Sequence, residues 1–222
     1  MLNIILAESS LELIPKEMNN HPSVISYSRK FKKSPSETLL DNSWHFAAMK
    51  GLENEIKRGR PDLVHITLLS LCTTPAFFKK KLNVYIHTIH DQIISIDNDT
   101  RLPKSYHRFQ GLIEKLFFNG KIESDNQTLM KISKMTISQL LSDIKPSKVV
   151  GLTVQGKKTS LENLIHEIPD NACIVIGGFQ KGHFNDETQK NLQGKFSIND
   201  ESLESHLVAS RLVYEYEKTI FI

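Results

Sequence analysis

The stretch that most constrains this chain is Asn171 to Phe184, NACIVIGGFQKGHF. Ala172 to Ile176 is a continuous apolar run of strand length, and it breaks directly into Gly177-Gly178, with Gly182 four residues beyond. An unbroken apolar strand is one covered on both faces, as the strands of parallel sheets are. Ligands of such sheets sit just outside the carboxyl ends of the strands. Glycines at that point let the backbone come close to a ligand and adopt positive φ without a Cβ clash. The dinucleotide spacing G-x-G-x-x-G is absent, so the turn is either a ligand-binding exit of another kind or an ordinary tight strand exit.

The flanking segments alternate in character. Leu2 to Ala7 reads as a first buried strand. Residues 19–43 are polar and contain Pro22 and Pro35, which predicts a loop-rich extension. Trp44 to Lys57 has helical spacing and stops before Gly59 and Pro61. LVHITLLSL, after Asp62, reads as a second buried strand, and Leu82 to Thr88 with Ile93 to Ile96 as a hairpin. Pro103 opens a helix whose apolar stripe is Phe109, Leu112, Ile113, Leu116 and Phe117. Residues 121–135 look irregular, and Thr136 to Ile144 is a short helix. Lys148 to Val154 is a strand ended by a turn at Gln155-Gly156-Lys157. Ser160 caps a helix through Ile165, and Lys195 to Ile198 is a short strand. Leu203 to Tyr216 reads as a helix with Leu203, Leu207, Ala209, Ser210, Val213 and Tyr214 inward, before a β-like tail at Ile220 to Ile222. Strands alternating with helices predict an α/β fold with a mostly parallel sheet, here as one domain over residues 1–222.

Composition removes several function classes. No apolar run approaches the roughly 20 residues of a membrane span. The apolar start lacks a preceding basic residue and meets Glu8 at once, unlike a signal peptide. Cys72 and Cys173 both lie in apolar runs, which predicts buried free thiols and a cytoplasmic protein. His87 and His90 have no cysteine or acid cluster to complete a metal set, so no metal is expected. No P-loop or nucleophile elbow occurs. The net charge is +3, and its distribution is uneven. Residues 145–222 hold 9 Lys+Arg and 10 Asp+Glu, against 19 and 15 in residues 1–144. The basic excess gathers at Arg29 to Lys33, Lys57 to Arg60, Lys79 to Lys81 and Arg101 to Arg108, which suits a polyanionic partner.

Three constellations carry chemistry. In Arg101 to Arg108, Lys104 and Arg108 are four apart, so they share a helix face near a partly positive helix start. Together with Arg101, Tyr106 and His107 they form a candidate phosphate-gripping edge. In RGRPDLVH, Asp62 is either a general base or the bidentate holder of an arginine, and His65 reads as a hydrogen-bonded core histidine. Finally, Gly151 to Val154, Gly177 to Gly182 and Ser197 to Leu203 each follow a strand. In a parallel sheet these exits share one edge and could enclose one ligand. With no basic cluster there, a nucleoside fits better than a triphosphate.

RGRPDLVHITLLSL, RLPKSYHRFQGLIEKLF, VIGGFQKGHF and SINDESLESHLVASRLVYEYE, in this order, resemble the ribosome-biogenesis pseudouridine N1-methyltransferases of the SPOUT class, over most of the chain. The resemblance implies an α/β knot, with residues 145–222 threaded as a trefoil that binds S-adenosyl-L-methionine. It implies a homodimer that methylates N1 of a pseudouridine in small-subunit ribosomal RNA, in company with small-subunit ribosomal proteins and away from membranes. The alternatives are a non-catalytic rRNA-binding assembly factor or a SPOUT enzyme acting on another RNA. By this resemblance Leu152, Thr153, Gly177, Gly178, Gly182, Ile198 and Leu203 would line the cofactor pocket. Arg60, Arg101, Lys104 and Arg108 would grip RNA, and Asp62 would act as base or orient the uracil edge. Lys104 stands where an arginine is common. Gln180-Lys181 and His183 replace a frequent proline-histidine pair and an acid.

Overall fold

In the computed structural model, which describes residues 1–221, one eight-stranded sheet runs through the molecule. Its spatial order is β4-β5-β3-β2-β1-β7-β6-β8. The five strands β1 (Leu2–Ser9), β2 (Leu82–Thr88), β7 (Cys173–Gly177), β6 (Val149–Lys158) and β8 (Gly194–Ser197) are parallel. β3 (Gln92–Ile96), β5 (Gln127–Lys134) and β4 (Lys121–Ser124) extend the sheet antiparallel. β1 lies inside the parallel set, between β2 and β7, and all eight of its residues are buried. That explains its lack of polar alternation.

The two faces carry separate cores. Leu2, Ile4 and Leu6 pack with α3 (Pro61–Cys72), α5 (Tyr106–Asn119) and α9 (Ser205–Phe221) on one side. Ile5, Ala7, Cys173 and Val175 pack on the other with α6 (Ile137–Ile144), which begins in a full capping box of Thr136 and Gln139. The short helices α4 (Pro75–Phe78), α7 (Leu161–Glu167) and α8 (Asp186–Lys190) fill the connections. Ser160 caps α7 by accepting from the Asn163 N–H, as its sequence predicts. Cys72 and Cys173 are buried free thiols, and burial pushes both pKa values up, that of Cys173 to about 12.

Several expectations are corrected. LVHITLLSL is not a strand but the helix α3, started by Pro61. Eight of its twelve residues are buried, so it is apolar nearly all round and shows no helical stripe to read. The loop-rich extension 19–43 contains α1 (Pro22–Phe31), with His21 as its cap, and the start of α2 (Asn42–Met49). These helices pack over a small core of their own, Val24, Leu40 and Met49 with Ile14 and Met18. The helix predicted for Trp44 to Lys57 stops at Met49, and its buried residues are His45 and Met49 instead of Trp44. Residues 121–135 form the β4–β5 hairpin, turned by Asp125 and Asn126, both at positive φ. β6 continues through the turn expected at Gly156, where a Cβ would meet the Phe196 backbone at 2.4 Å. Ile220 and Phe221 belong to α9, and Ile222 lies outside the described residues.

Candidate active site

β6, β7 and β8 end beside one another, and the three exits enclose a cavity of about 420 Å³ with α9 as its side wall. That volume is in the small-molecule range of roughly 300–1,000 Å³. Leu152, Ile176, Phe179, Ile198, Leu203 and Val208 give it apolar walls. Thr153, Lys181, His183, Glu201 and Glu204 supply polar groups. Two carboxylates stand against one lysine, a balance unsuited to a polyphosphate. The β7 exit is tied to α9 by the Ser205 hydroxyl, which donates to the Gly177 carbonyl at 2.6 Å.

Of the seven pocket residues predicted from sequence, Leu152, Thr153, Gly177, Gly182, Ile198 and Leu203 line this cavity. Gly178 does not. It is buried against β1, where a Cβ would stand 2.1 Å from Ser9 Oγ and 2.8 Å from Ser9 Cα. Its N–H donates to the Ala7 carbonyl at 2.8 Å, and its carbonyl accepts from the Ser10 N–H at 2.9 Å. Gly178 therefore closes the turn onto the central strand. Gly182, at φ +109°, takes a conformation L side chains avoid.

A buried ion pair holds this turn in place, and no sequence pattern revealed it. Lys57 follows α2 in a short 3-10 turn, and its ammonium donates to Glu8 Oε2 at 2.5 Å and to the His183 carbonyl. It also lies 4.5 Å from the centre of the Phe179 ring. Glu8 Oε1 accepts from the Asn185 N–H at 2.8 Å. Glu8 itself is buried at φ +52°, uncommon for a residue with a side chain, at the carboxyl end of β1. Next to it, Arg58 makes a two-pronged contact with buried Glu12 at 2.7 and 2.6 Å, and His90 adds a third at 2.7 Å. Burial works against the Glu12 charge, but the Arg58 and His90 contacts outweigh it and keep the carboxyl below its ordinary pKa. Lys57 and Arg58, read from sequence as part of a basic surface cluster, are therefore neutralised inside the fold. The available signal was an acid inside an otherwise apolar strand, Glu8, which needs a buried cation.

The basic edge is positioned by different contacts. Arg60 and Asp62 form a bidentate pair at 2.8 Å for each bond. Burial opposes ionisation of Asp62, but the hydrogen bonds and charge of Arg60 hold its pKa below the usual carboxylate range. Arg60 stands at the start of α3, where its hydrogen bond to Asp62 raises its own pKa. His65 is the hydrogen-bonded core histidine predicted, but on α3: its Nε2–H donates to the Pro103 carbonyl at 2.7 Å, and its ring stacks on Phe109 at 4.3 Å. That contact fixes the segment before α5. Arg101 lies over the Phe78 ring at 4.3 Å and bonds the Thr100 carbonyl. Lys104 precedes α5, so it does not share a helix face with Arg108 as its spacing suggested. Both are exposed and, among the described residues, make no ion pair.

This arrangement is that of a SPOUT-type α/β protein. A solved structure described as Archaeoglobus fulgidus Nep1 bound to S-adenosylhomocysteine superposes with a TM-score of 0.89 at 36% identity, covering 98% of this chain and 97% of that one. The chain matches the EMG1/NEP1 methyltransferase family over residues 4–217 and belongs to it. Its relatives named ribosomal RNA small subunit methyltransferase Nep1 include those of Staphylothermus marinus and Sulfurisphaera tokodaii. The first is 41% identical over 96% of this chain and 93% of its own length, the second 42% identical over 96% and 94%.

Breaking the Lys57–Glu8 pair should be costly because the partner left behind is a buried charge. Lys57→Met is expected to lose about 3–5 kcal/mol in urea unfolding. The double variant Lys57→Met with Glu8→Gln should lose clearly less than the two single losses combined. Simple additivity would mean that the pair does not act as a unit.

Proposed function

We propose that this protein methylates N1 of a pseudouridine in small-subunit ribosomal RNA, and that it acts in small-subunit biogenesis. As a member of its family it is an S-adenosylmethionine-dependent methyltransferase of small-subunit rRNA. The observation that carries the methyl-transfer reading is the cavity at the strand exits. Its apolar walls suit an adenosine, and Glu201 and Glu204 suit the cationic sulfonium and amino groups. The residues present thus fit the cofactor. Leu152, Thr153, Gly177, Gly182, Ile198 and Leu203 would hold it, and Gly178 would keep the turn seated on β1. The cofactor would supply a methyl group that is already electrophilic and leave as the neutral thioether, and the N1 proton would pass to solvent, so the chain's task is alignment of the nucleophile.

Arg60, Arg101, Lys104 and Arg108 would grip the RNA backbone. Lys104 would do so as a point charge without an arginine's two-pronged geometry. Asp62, kept ionised by Arg60, is a weak proton acceptor near neutral pH. Its proposed work is to fix Arg60 and orient the uracil edge. The trefoil threading of residues 145–222, a cytoplasmic location and contact with small-subunit ribosomal proteins belong to the same proposal.

So does the homodimer. α9 was expected to bury Leu207 and Tyr214, but its inward residues are Ser205, Val208, Ala209, Leu212 and Val213. Leu207, Tyr214 and Phe221, each seven apart, form a second apolar stripe that is 40%, 62% and 38% exposed. Ile66, on the neighbouring α3, is 45% exposed. A second copy would cover this face.

Labelled S-adenosylmethionine incubated with matched RNA hairpins tests the reaction. Transfer is expected with pseudouridine in the loop and not with uridine, and transfer to both would reject the N1 assignment. Asp62→Asn should raise KM for RNA more than it lowers kcat, whereas a base would show the reverse. Arg101→Ala and Arg108→Ala should each weaken RNA binding and lower the salt slope by about one. Leu207→Asp with Tyr214→Asp should give a monomer in sedimentation equilibrium, and an unchanged mass would move the interface elsewhere.

A further inference from the structure

We propose that the α1–α2 pair is a second RNA-contacting surface, where an unpaired base flanking the target stacks on Trp44 and Lys30 with its neighbours holds the adjoining phosphates. This rests on the RNA-substrate reading above and extends it to a surface outside the basic edge.

Three observations carry it. First, rings gather at the surface instead of in the core. Phe31 and Trp44 are each 41% exposed, and their centroids are 5.5 Å apart at 81° over the buried Tyr27. Second, the Lys30 ammonium lies 4.6 Å from the Trp44 ring centre and 5.3 Å from that of Phe31. Arg29 and Lys32 are exposed beside it, and no acid occurs from residue 22 to residue 36. Aromatic faces interleaved with cations are the elements of a single-strand platform, because every base has a π-face and every linkage a negative charge.

Third, the patch is bolted to the helix that carries Arg108. Tyr106, Gln110 and Glu114, one helical turn apart along α5, contact Asp41, Tyr27 and Lys33 respectively. Glu114 also accepts from the Leu39 N–H at 3.2 Å. Arg108 leaves α5 on a different face from these contacts, but the helix rises only about 9 Å from Arg108 to Glu114 and is about 10–12 Å across, so one strand passing around it could reach both surfaces. A second copy is the weaker occupant. A two-fold contact would set this cationic patch against itself, and like charges juxtaposed in an interface are unfavourable.

Trp44 is the only tryptophan in the chain, so its emission reports the patch directly. The full-length protein is titrated with oligouridylate of about ten nucleotides, a length within single-strand site sizes. Binding is followed in parallel by anisotropy of labelled RNA. Saturable quenching is expected, with its midpoint moving to weaker binding as salt rises. Trp44→Ala and the exposed Lys30→Ala should each weaken oligouridylate binding roughly tenfold, with Trp44→Phe restoring much of it. For methyl transfer, both should raise KM on a hairpin with a single-stranded flank and leave kcat, and KM on a flankless hairpin, unchanged. RNA that binds by anisotropy and responds to Arg108→Ala, yet leaves Trp44 emission unaltered, would overturn the patch and leave the proposed function standing. Emission that changes on dilution without RNA would assign the surface to a second copy. Wild-type protein that binds no RNA at all would overturn both readings.

Discussion

The structure depends on the buried contact between Lys57 and Glu8. Glu8 lies at the end of the central strand, in a backbone conformation that a side chain makes unfavourable. Lys57 comes from the segment between α2 and α3, and the turn it grips is Gly177 to Phe184. One ammonium thus joins the central strand, the N-terminal helical layer and the wall of the pocket. A few residues further on, Arg60 begins the basic edge at the start of α3. The turn of the pocket and the basic edge therefore share one short stretch of chain. A shift of the turn would be felt at Arg60 through covalent geometry alone.

Charge has two uses in this molecule. Lys57 and Arg58 are neutralised internally by Glu8 and Glu12. Lys104, Arg108, Arg29 and Lys32 remain facing solvent. A count of basic residues overstates the field available to a polyanion, because part of it has been consumed in holding the fold. What remains is concentrated around one helix, α5, which carries Arg108 and braces α1 and α2.

Much of the pocket was legible in sequence because its elements have local signals. An apolar run ending in paired glycines gives a parallel strand and its exit, and three such exits in one parallel sheet must lie on one edge. Gly178 was read for the wrong duty, since its closest neighbour, Ser9, lies far away in sequence. α3 was misread because its outward face also carries apolar residues, Ile66 and Leu69, which erases the periodicity that separates a helix from a strand. α1 was missed because its surroundings are polar and interrupted by prolines, although Pro22 opens the helix instead of breaking it. The β4–β5 hairpin has few buried residues, so its alternation is weak. The Lys57–Glu8 and Arg58–Glu12 pairs span more than forty residues, so Glu8 at the end of an apolar strand hints at a buried cation but nothing local names its partner.

The central place of β1 also sets an order of assembly. β1 can pair with β2 once residues through Thr88 exist, but its other edge stays open until β7, at Cys173–Gly177, has been made. At ordinary synthesis rates the interval is on the order of ten seconds. During it the N-terminal half presents an apolar strand with unpaired backbone groups, the kind of edge that recruits other chains. The segment that relieves this hazard also brings the first glycine-rich wall of the pocket. A nascent chain of this protein therefore loses its aggregation-prone edge when β7 docks, and its cavity closes only afterwards, when the exit of β8 and α9 come into place.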